Sequence, residues 1–340
     1  ITYVIDNKRK SQIFSIIDAH FNGEILKPDE LKSGVFDFST AETSLHTRSM
    51  IKIQDGCDKF CSYCIIPYVR GRAQSRPYKD ILKNIKSILT CEYKEIVLTG
   101  INMGSYNYEG TNFSTLLEMI LELDGDFRVR ISSLEPEGID PLFISLMSHP
   151  KMCRNLHICL QSGSDRILKL MNRDYTIDNF KTSIQKIKEV CSNFNFTTDI
   201  IVGFPGETND DFKKSCEMLI ETGFSHVHTF PYSVRTGTKA AKIDNHINSK
   251  LKAERSSIIR SLSEVNKKKY RESFIGKKQR ILIEKIVQNQ AEGFGEHYIP
   301  VKFSGTGLIP NSFCEVLITG IEDGNNPVLL AEPVIRYNNL

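Results

Sequence analysis

Lys52-Ile-Gln-Asp-Gly-Cys57-Asp-Lys-Phe-Cys61-Ser-Tyr-Cys64-Ile-Ile-Pro-Tyr-Val-Arg70-Gly-Arg72 is the stretch whose reading decides how this chain folds. Its first residues finish a β-branched run, Met50–Gln54, that predicts a strand. Three Cys follow at once, at spacings of four and three, and Asp58, Lys59 and Ser62 mark their surroundings as loop rather than core. Three thiolates on one loop suit three irons of a cubane cluster and leave the fourth iron without a protein ligand. An open position of that kind distinguishes a catalytic metal from a structural one. The competing reading is zinc, which in structural sites takes four ligands, commonly as two pairs. No second Cys pair is present, and His46, the nearest further donor, lies across the predicted strand.

Outward from this loop, short apolar runs alternate with helical segments. The candidate strands are Met50–Gln54, Glu95–Gly100, Arg128–Leu134, Leu156–Gln161, Phe196–Phe204 and His226–Tyr232. Between them, apolar residues recur every three or four positions, as in Ile81-Leu82-Ile85-Ile88-Leu89 and Phe212-Cys216-Leu219-Ile220. Near-continuous apolar strands alternating with helices imply a parallel sheet covered on both faces. Six such units are too few for a closed eight-stranded barrel, so the expected α/β fold is an open partial (β/α)6 barrel. Its chemistry would gather at the carboxyl ends of the strands. Gly100, Glu135, Gln161, Ser162 and Gly203 all fall at or just past such ends, where each is either a cofactor contact or a turn residue.

Residues 249–272 read as one basic amphipathic helix with Leu251, Ile258, Ile259, Leu262 and Val265 along one side. After Gly276 the pattern changes to short alternating strands, Arg280–Val287, His297–Phe303, Cys314–Ile321 and Pro327–Ala331, which predict a small antiparallel barrel. The expected divisions are 1–46, a remnant of an upstream unit with a polar connector; 47–245, the partial barrel; 246–273, the basic linker helix; and 274–335, the small barrel.

Hydrophobic residues make up 40% of the chain and charged residues 25%, as in an ordinary globular protein. No apolar run is long enough to span a membrane, and no secretory signal opens the chain. Six of the nine Cys stand singly, mostly in apolar runs, which fits buried thiols in a reducing compartment and a cytoplasmic protein. The first residue is Ile rather than Met, so we expect residues upstream. The net charge is only +3, yet Ser249–Arg280 carries eleven Lys/Arg against three Asp/Glu, and Ile65–Lys86 six against one. Two such patches in a nearly neutral chain suggest a polyanionic partner. Candidate contacts are Arg70, Arg72 and Arg76 beside the Cys loop, and Lys267, Lys268, Lys269 and Arg271 on the basic helix.

The spacing of Cys57, Cys61 and Cys64 resembles that of the radical S-adenosylmethionine superfamily. More narrowly, the chain resembles the methylthiotransferases. The matching stretches are Gly56–Arg76, Leu98-Thr-Gly-Ile-Asn-Met-Gly-Ser-Tyr106, Arg130-Ile-Ser-Ser-Leu-Glu135-Pro, His157–Asp165, Met171-Asn-Arg173 and Asp199-Ile-Ile-Val-Gly-Phe-Pro-Gly-Glu207-Thr. The likeness runs over about residues 47–333, with the last 60 or so similar to the family's RNA-binding TRAM domain. Within the family, the Cys61–Arg72 and Thr99–Tyr106 segments are most like the branch that acts on N6-threonylcarbamoyladenosine.

The resemblance implies a 4Fe-4S cluster on the three Cys, with its open iron chelating S-adenosylmethionine. Cleavage of that cofactor to a 5′-deoxyadenosyl radical is then the expected chemistry. It implies Tyr63 beside the adenine, cofactor contacts from Gly100, Glu135, Gln161, Ser162 and Gly203, and Tyr232 and Arg235 at the rim. The expected reaction replaces C2–H of a modified adenosine beside the tRNA anticodon with a methylthio group. The implied partners are tRNA and an electron donor such as flavodoxin or ferredoxin, and a monomer is expected. Family members carry a second 4Fe-4S cluster on three further Cys in an amino-terminal domain, absent here but for a tail around Ile1–Asp18. Sulfur insertion is therefore in doubt for these 340 residues alone. Open alternatives are isopentenyladenosine in tRNA, a ribosomal-protein aspartate, and a noncatalytic RNA-binding iron–sulfur protein.

Overall fold

A computed structural model describes residues 3–24, 26–27, 34–37, 47–322, 324 and 327–334. Most of the expected connector Gly34–Leu45, and His46, lie outside the described residues. Ahead of them, Asp6 caps a short 3-10 turn that leads into a helix, Ile13–Phe21.

The six expected strands form: β1 (Arg48–Lys52), β2 (Glu95–Thr99), β3 (Arg128–Ile131), β4 (Asn155–His157), β5 (Asn195–Val202) and β6 (His226–Pro231). The pairs β1–β2, β2–β3, β4–β5 and β5–β6 are all parallel. The two halves join where Leu134 N donates to His157 O (2.8 Å) and Cys159 N to Leu134 O (3.3 Å), giving one open, curved sheet. Helices pack on its outer face. Ile81, Ile85 and Ile88 of the Tyr78–Thr90 helix are fully buried there, as their spacing predicts. Ile220 is a departure: the Asn209–Thr222 helix buries Ser215, Met218 and Leu219 and leaves Ile220 in solvent.

The basic helix spans Ser249–Glu272 and is capped by Asn248, whose side chain accepts from Leu251 N (2.9 Å). Its orientation differs from the apolar stripe in the sequence. Ile258 and Val265 are exposed, whereas Arg255, Ser256, Ile259, Ser263, Lys267 and Arg271 are buried. Polar residues face inward because the surface they meet is itself polar. Ser263 Oγ accepts from Val227 N (3.0 Å), and Arg255 donates to the fully buried Glu207 (2.5 Å).

The carboxyl-terminal strands β7 (Lys278–Val287), β8 (Gln290–Phe294), β9 (Pro300–Ser304), β10 (Phe313–Glu322) and β11 (Val328–Pro333) close into a barrel in the order β7-β8-β9-β11-β10. Two corrections apply to the expected barrel. The strand β8 is additional, and β9 pairs with β11 in parallel, so the barrel is mixed rather than wholly antiparallel.

A charged knot is one of the contacts by which this barrel docks on the sheet. Glu95 at the start of β2 is fully buried and accepts from Arg128 Nε and Arg130 Nε, both at 2.8 Å, with Arg48 Nε at 3.4 Å. The guanidinium of Arg128 continues to Phe294 O (3.0 Å). Arg48 pairs with Glu284 and reaches Tyr298 Oη (3.2 Å), while Arg130 stacks 4.0 Å over the Tyr298 ring. Burial alone would raise the Glu95 carboxyl, but the three guanidiniums overcome it and hold the group ionised. Replacing Glu95 with Leu strands buried cations, and we expect a loss of about 3–5 kcal/mol. Chemical denaturation measures it, and an unchanged midpoint would contradict this account of the docking.

Candidate active site

The loop that carries the three Cys is shaped by backbone and buried polar groups. Gly56 has φ +71°, and a Cβ there would sit 2.1 Å from Arg72 O, so only glycine lets the loop close on itself. Cys57 N donates to Gly71 O at 3.2 Å. The buried Gln54 side chain donates to Gly56 O (2.8 Å) and accepts from Ile101 N (3.0 Å) and Asn102 N (2.9 Å), so it ties the loop to the one after β2. Asp55 accepts from Gly56 N (2.7 Å), Asn7 (3.1 Å) and Arg70 (3.1 Å), and pairs with Lys52. Burial raises its carboxyl, but these donors prevail and hold it at about 2. Arg70 is thus committed to the loop's own scaffold. On the far side, Ser62 N donates to Met171 O (2.9 Å), and Asn172 Nδ2 donates to Lys59 O (3.1 Å).

All three thiols are free and half-buried. Arg173 Nη1 lies 3.3 Å from Cys61 Sγ, and the same guanidinium pairs with Glu135 and donates to Tyr175 Oη at 3.2 Å. Burial pushes the Cys61 thiol up against the opposing pull of Arg173, and burial likewise raises Cys64. Desolvated thiols that resist ionisation are readily ionised by a bound metal, because metal ligation and proton release are coupled. The donor set therefore fits an iron cluster.

Beside the loop, Tyr63, Phe204 and Tyr232 form an aromatic corner, with ring centroids 6.5 Å apart for Tyr63–Phe204 and 5.5 Å for Phe204–Tyr232. Among the described residues, the buried Tyr232 hydroxyl has no hydrogen-bond partner, and neither has Asn102 Oδ1. An unsatisfied hydroxyl on this aromatic corner fits a polar, adenine-bearing cofactor.

The other expected contacts divide. Glu135 joins the site through Arg173. Gln161 is buried in the left-handed region (φ +64°) and Ser162 is fully buried with Oγ accepting from Ser164 N (3.2 Å), so both form the turn after β4. Gly100 packs against Gln54 and Met103. At Gly203 (φ +70°) a Cβ would meet Lys252 Cγ at 2.2 Å, so this glycine admits the basic helix. Arg72 is exposed and pairs with Asp58 at 2.6 Å. Arg76 departs from the expected surface patch: it is buried, with Nη1 donating to Asn84 Oδ1 at 3.0 Å. Lys267 and Arg271 are likewise buried, on a different face from the exposed Lys268 and Lys269. Arg235 is exposed beyond β6.

Inside the curve of the sheet lies a cavity of about 870 Å³. Alternate residues of β5 (Thr197, Asp199) and β6 (His226, His228, Phe230) line one side, Cys159 and Arg130 another. The helix residues Lys267, Tyr270 and Arg271 and the barrel residues Phe294 and Tyr298 complete the wall. Within it, His157 Nδ1 lies 3.0 Å from Thr197 Oγ1 and Nε2 lies 3.3 Å from Asp199 Oδ1. The potential ligand atoms of His157, Asp199 and His228 all lie within 4.8 Å of one another. Burial, helped by His157, lowers His228. None of these residues stands out in the sequence as a site. Their signal is alternation: polar side chains at every second position of strands that otherwise read as apolar.

Residues 51–219 match the model of the radical SAM superfamily. The threonylcarbamoyladenosine tRNA methylthiotransferase MtaB of Chlamydia pneumoniae is 35% identical over 322 residues, which is 94% of this chain and 74% of that protein. The chain belongs to the radical SAM methylthiotransferase family. The protein of that name from Thermotoga maritima is 38% identical over 76% of this chain. So is the tRNA-2-methylthio-N(6)-dimethylallyladenosine synthase of Syntrophus aciditrophicus, over 71%. The chain spans 61% and 53% of these two relatives.

If Cys57, Cys61 and Cys64 share one cluster, anaerobically reconstituted protein should hold about four irons per chain. Cys61→Ala should lose most of that iron and its visible absorbance. Full iron retained in the variant would refute the assignment.

Proposed function

We propose that the chain is the catalytic portion of a tRNA methylthiotransferase that modifies C2 of N6-threonylcarbamoyladenosine beside the anticodon. The observation that carries the reading is a three-thiol loop whose Cys61 neighbours Cys159, a residue that lines a polar cavity large enough for a nucleoside. An aromatic C2–H offers neither an acidic proton nor a leaving group, so acid–base catalysis alone does not suffice. When bound, the cluster and S-adenosylmethionine supply the one-electron chemistry that such a bond requires.

The protein's own residues bind, orient and shield. Cys57, Cys61 and Cys64 would hold three irons, with Arg173 beside Cys61 to offset the thiolate charge. Tyr63 would lie against the cofactor's adenine, and the Tyr232 hydroxyl would take one of its polar edges. His157, held through its two ring nitrogens by Thr197 and Asp199, would orient the Asp199 carboxylate, which would accept from the edge of the substrate base. Phe294 and Tyr298 of the small barrel line the far side of the cavity.

The tRNA body would be gripped through phosphates by the exposed Lys268, Lys269 and Arg72 and the barrel's outer surface. This basic surface favours RNA over a ribosomal-protein aspartate. Among the described residues no helix is long and apolar enough to cross a membrane. A flavodoxin- or ferredoxin-type reductant and the cytoplasm complete the proposal. A dimethylallyladenosine substrate is the second reading, because relatives of that name are as similar, at 38% identity.

Two measurements test this. Reduced protein given S-adenosylmethionine and substrate tRNA should release 5′-deoxyadenosine without forming methylthiolated nucleoside, since the second cluster is expected outside these residues. No 5′-deoxyadenosine would refute the catalytic reading, and methylthio product would show that no second cluster is needed. Separately, Lys268→Ala with Lys269→Ala should flatten the dependence of log affinity on log salt by roughly 0.7–0.9 per lost phosphate contact, whatever the tRNA. An unchanged slope would remove these lysines from the interface.

A further inference from the structure

We propose that His157, Asp199 and His228 form a site for one divalent transition-metal ion on the inner face of the sheet, which the ion and the substrate base occupy in turn. The metal site stands on its ligand geometry alone. The alternation rests on the reading of the cavity as the site for a modified adenosine.

The three donors come from adjacent parallel strands whose register makes them neighbours. His157 on β4 pairs with Thr197 on β5, and Asp199, two residues further on, pairs with His228 on β6. Residues two apart on a strand share a face, and all three donors line the one cavity. Two ligands that each lie about 2.0–2.2 Å from one ion stand no more than about 4.4 Å apart. His157 Nε2 and Asp199 Oδ1 are already 3.3 Å apart. The potential ligand atoms of all three lie within 4.8 Å of one another, so a small turn of the exposed His228 ring completes the set. That ring is free to turn. Its centroid lies 5.5 Å from that of His157 and 4.5 Å from that of His226, and among the described residues it makes no hydrogen bond.

Behind the ligands stands a group that a metal-bound imidazole requires. Thr197 Oγ1 lies 3.0 Å from His157 Nδ1, and a hydroxyl can donate or accept. In the ion-free state Nε2–H donates to Asp199, and the hydroxyl donates to Nδ1. With an ion bound, Nδ1–H donates to the hydroxyl and the Nε2 lone pair turns to the metal. Two imidazoles and one carboxylate also select the class of ion. Nitrogen donors suit zinc, iron, cobalt and nickel, whereas magnesium and calcium prefer oxygen throughout. Three protein ligands leave a coordination position open to the cavity. Of the cations on the wall, Arg130 is paired with Glu95 and Lys267 with Glu264, which moderates their repulsion of a dication. An ion on Asp199 takes the carboxylate that would accept from the substrate base. Each ligand therefore weakens binding of the other, by the same factor in both directions.

The test uses protein whose three loop Cys are filled by the reconstituted cluster, dialysed anaerobically against zinc and analysed for both metals. It should hold about one zinc beyond its iron. His228→Asn should lose the zinc and keep the iron, and because His228 is exposed the change spares the fold. Thr197→Val should weaken zinc binding about 10–100-fold, as loss of a partner behind a ligating histidine does, and Thr197→Ser should preserve it. Saturating zinc should weaken binding of an anticodon stem-loop carrying N6-threonylcarbamoyladenosine on the order of tenfold. The same zinc should leave RNA binding by His228→Asn unchanged, a comparison that cancels any action of zinc on the RNA itself. Zinc retained by His228→Asn, or zinc that enters only as iron is lost, would overturn the site. RNA bound equally well by the unaltered protein with and without zinc would overturn the alternation. Failure of the zinc-free protein to bind the RNA at all would instead count against the reading of the cavity as the substrate's site.

Discussion

The buried carboxylate of Glu95 is the point on which the two halves of this molecule depend. The parallel register puts Arg48, Glu95 and Arg128 side by side across three strands. Three guanidiniums converge on one carboxylate, and each retains donors that reach beyond the sheet. Those spare donors find backbone and aromatic rings of the small barrel. Attraction within the sheet and docking of the next domain are therefore one network. The network helps hold the barrel that forms the cavity's far wall, beside contacts such as Asn195 Nδ2 to His297 O (2.6 Å) and Arg280 to Asp126 (2.5 Å).

The partial barrel is legible in the sequence because its strands obey a simple rule. A parallel strand covered on both faces must be apolar nearly throughout, and Ile96–Leu98 and Ile200–Val202 are. The Cys loop is legible for a different reason: ligand spacing is fixed by the metal it must hold, whatever surrounds it. Both features are local, and local features survive in a one-dimensional reading.

What the sequence conceals is orientation. Leu251, Ile258, Ile259, Leu262 and Val265 form an apolar stripe, but the helix settles with Arg255, Ser263 and Lys267 inward because the groove it enters offers Glu207, a backbone amide and a polar cavity. Arg76 reads as surface and is buried because Asn84, one helical face away, satisfies it. The strand Gln290–Phe294 lacks β-branched residues and contains Gly293, whose Cβ would fall 2.1 Å from Leu282 O. It is a strand by closure of the barrel, not by propensity. His157, Asp199 and His228 are scattered over 70 residues and become neighbours only through the strand order.

The docked barrel also has a mechanical meaning. Phe294 and Tyr298 belong to the unit proposed to grip RNA and, at the same time, to the lining of the reaction cavity. The same β8 segment is anchored to the sheet by Arg128 and Arg48. Grip and cavity are thus coupled through the contacts of Arg128 and Arg48 with Phe294. A polymer held on the outer domain would therefore bear on the cavity wall, and a shift of that domain would reshape the cavity.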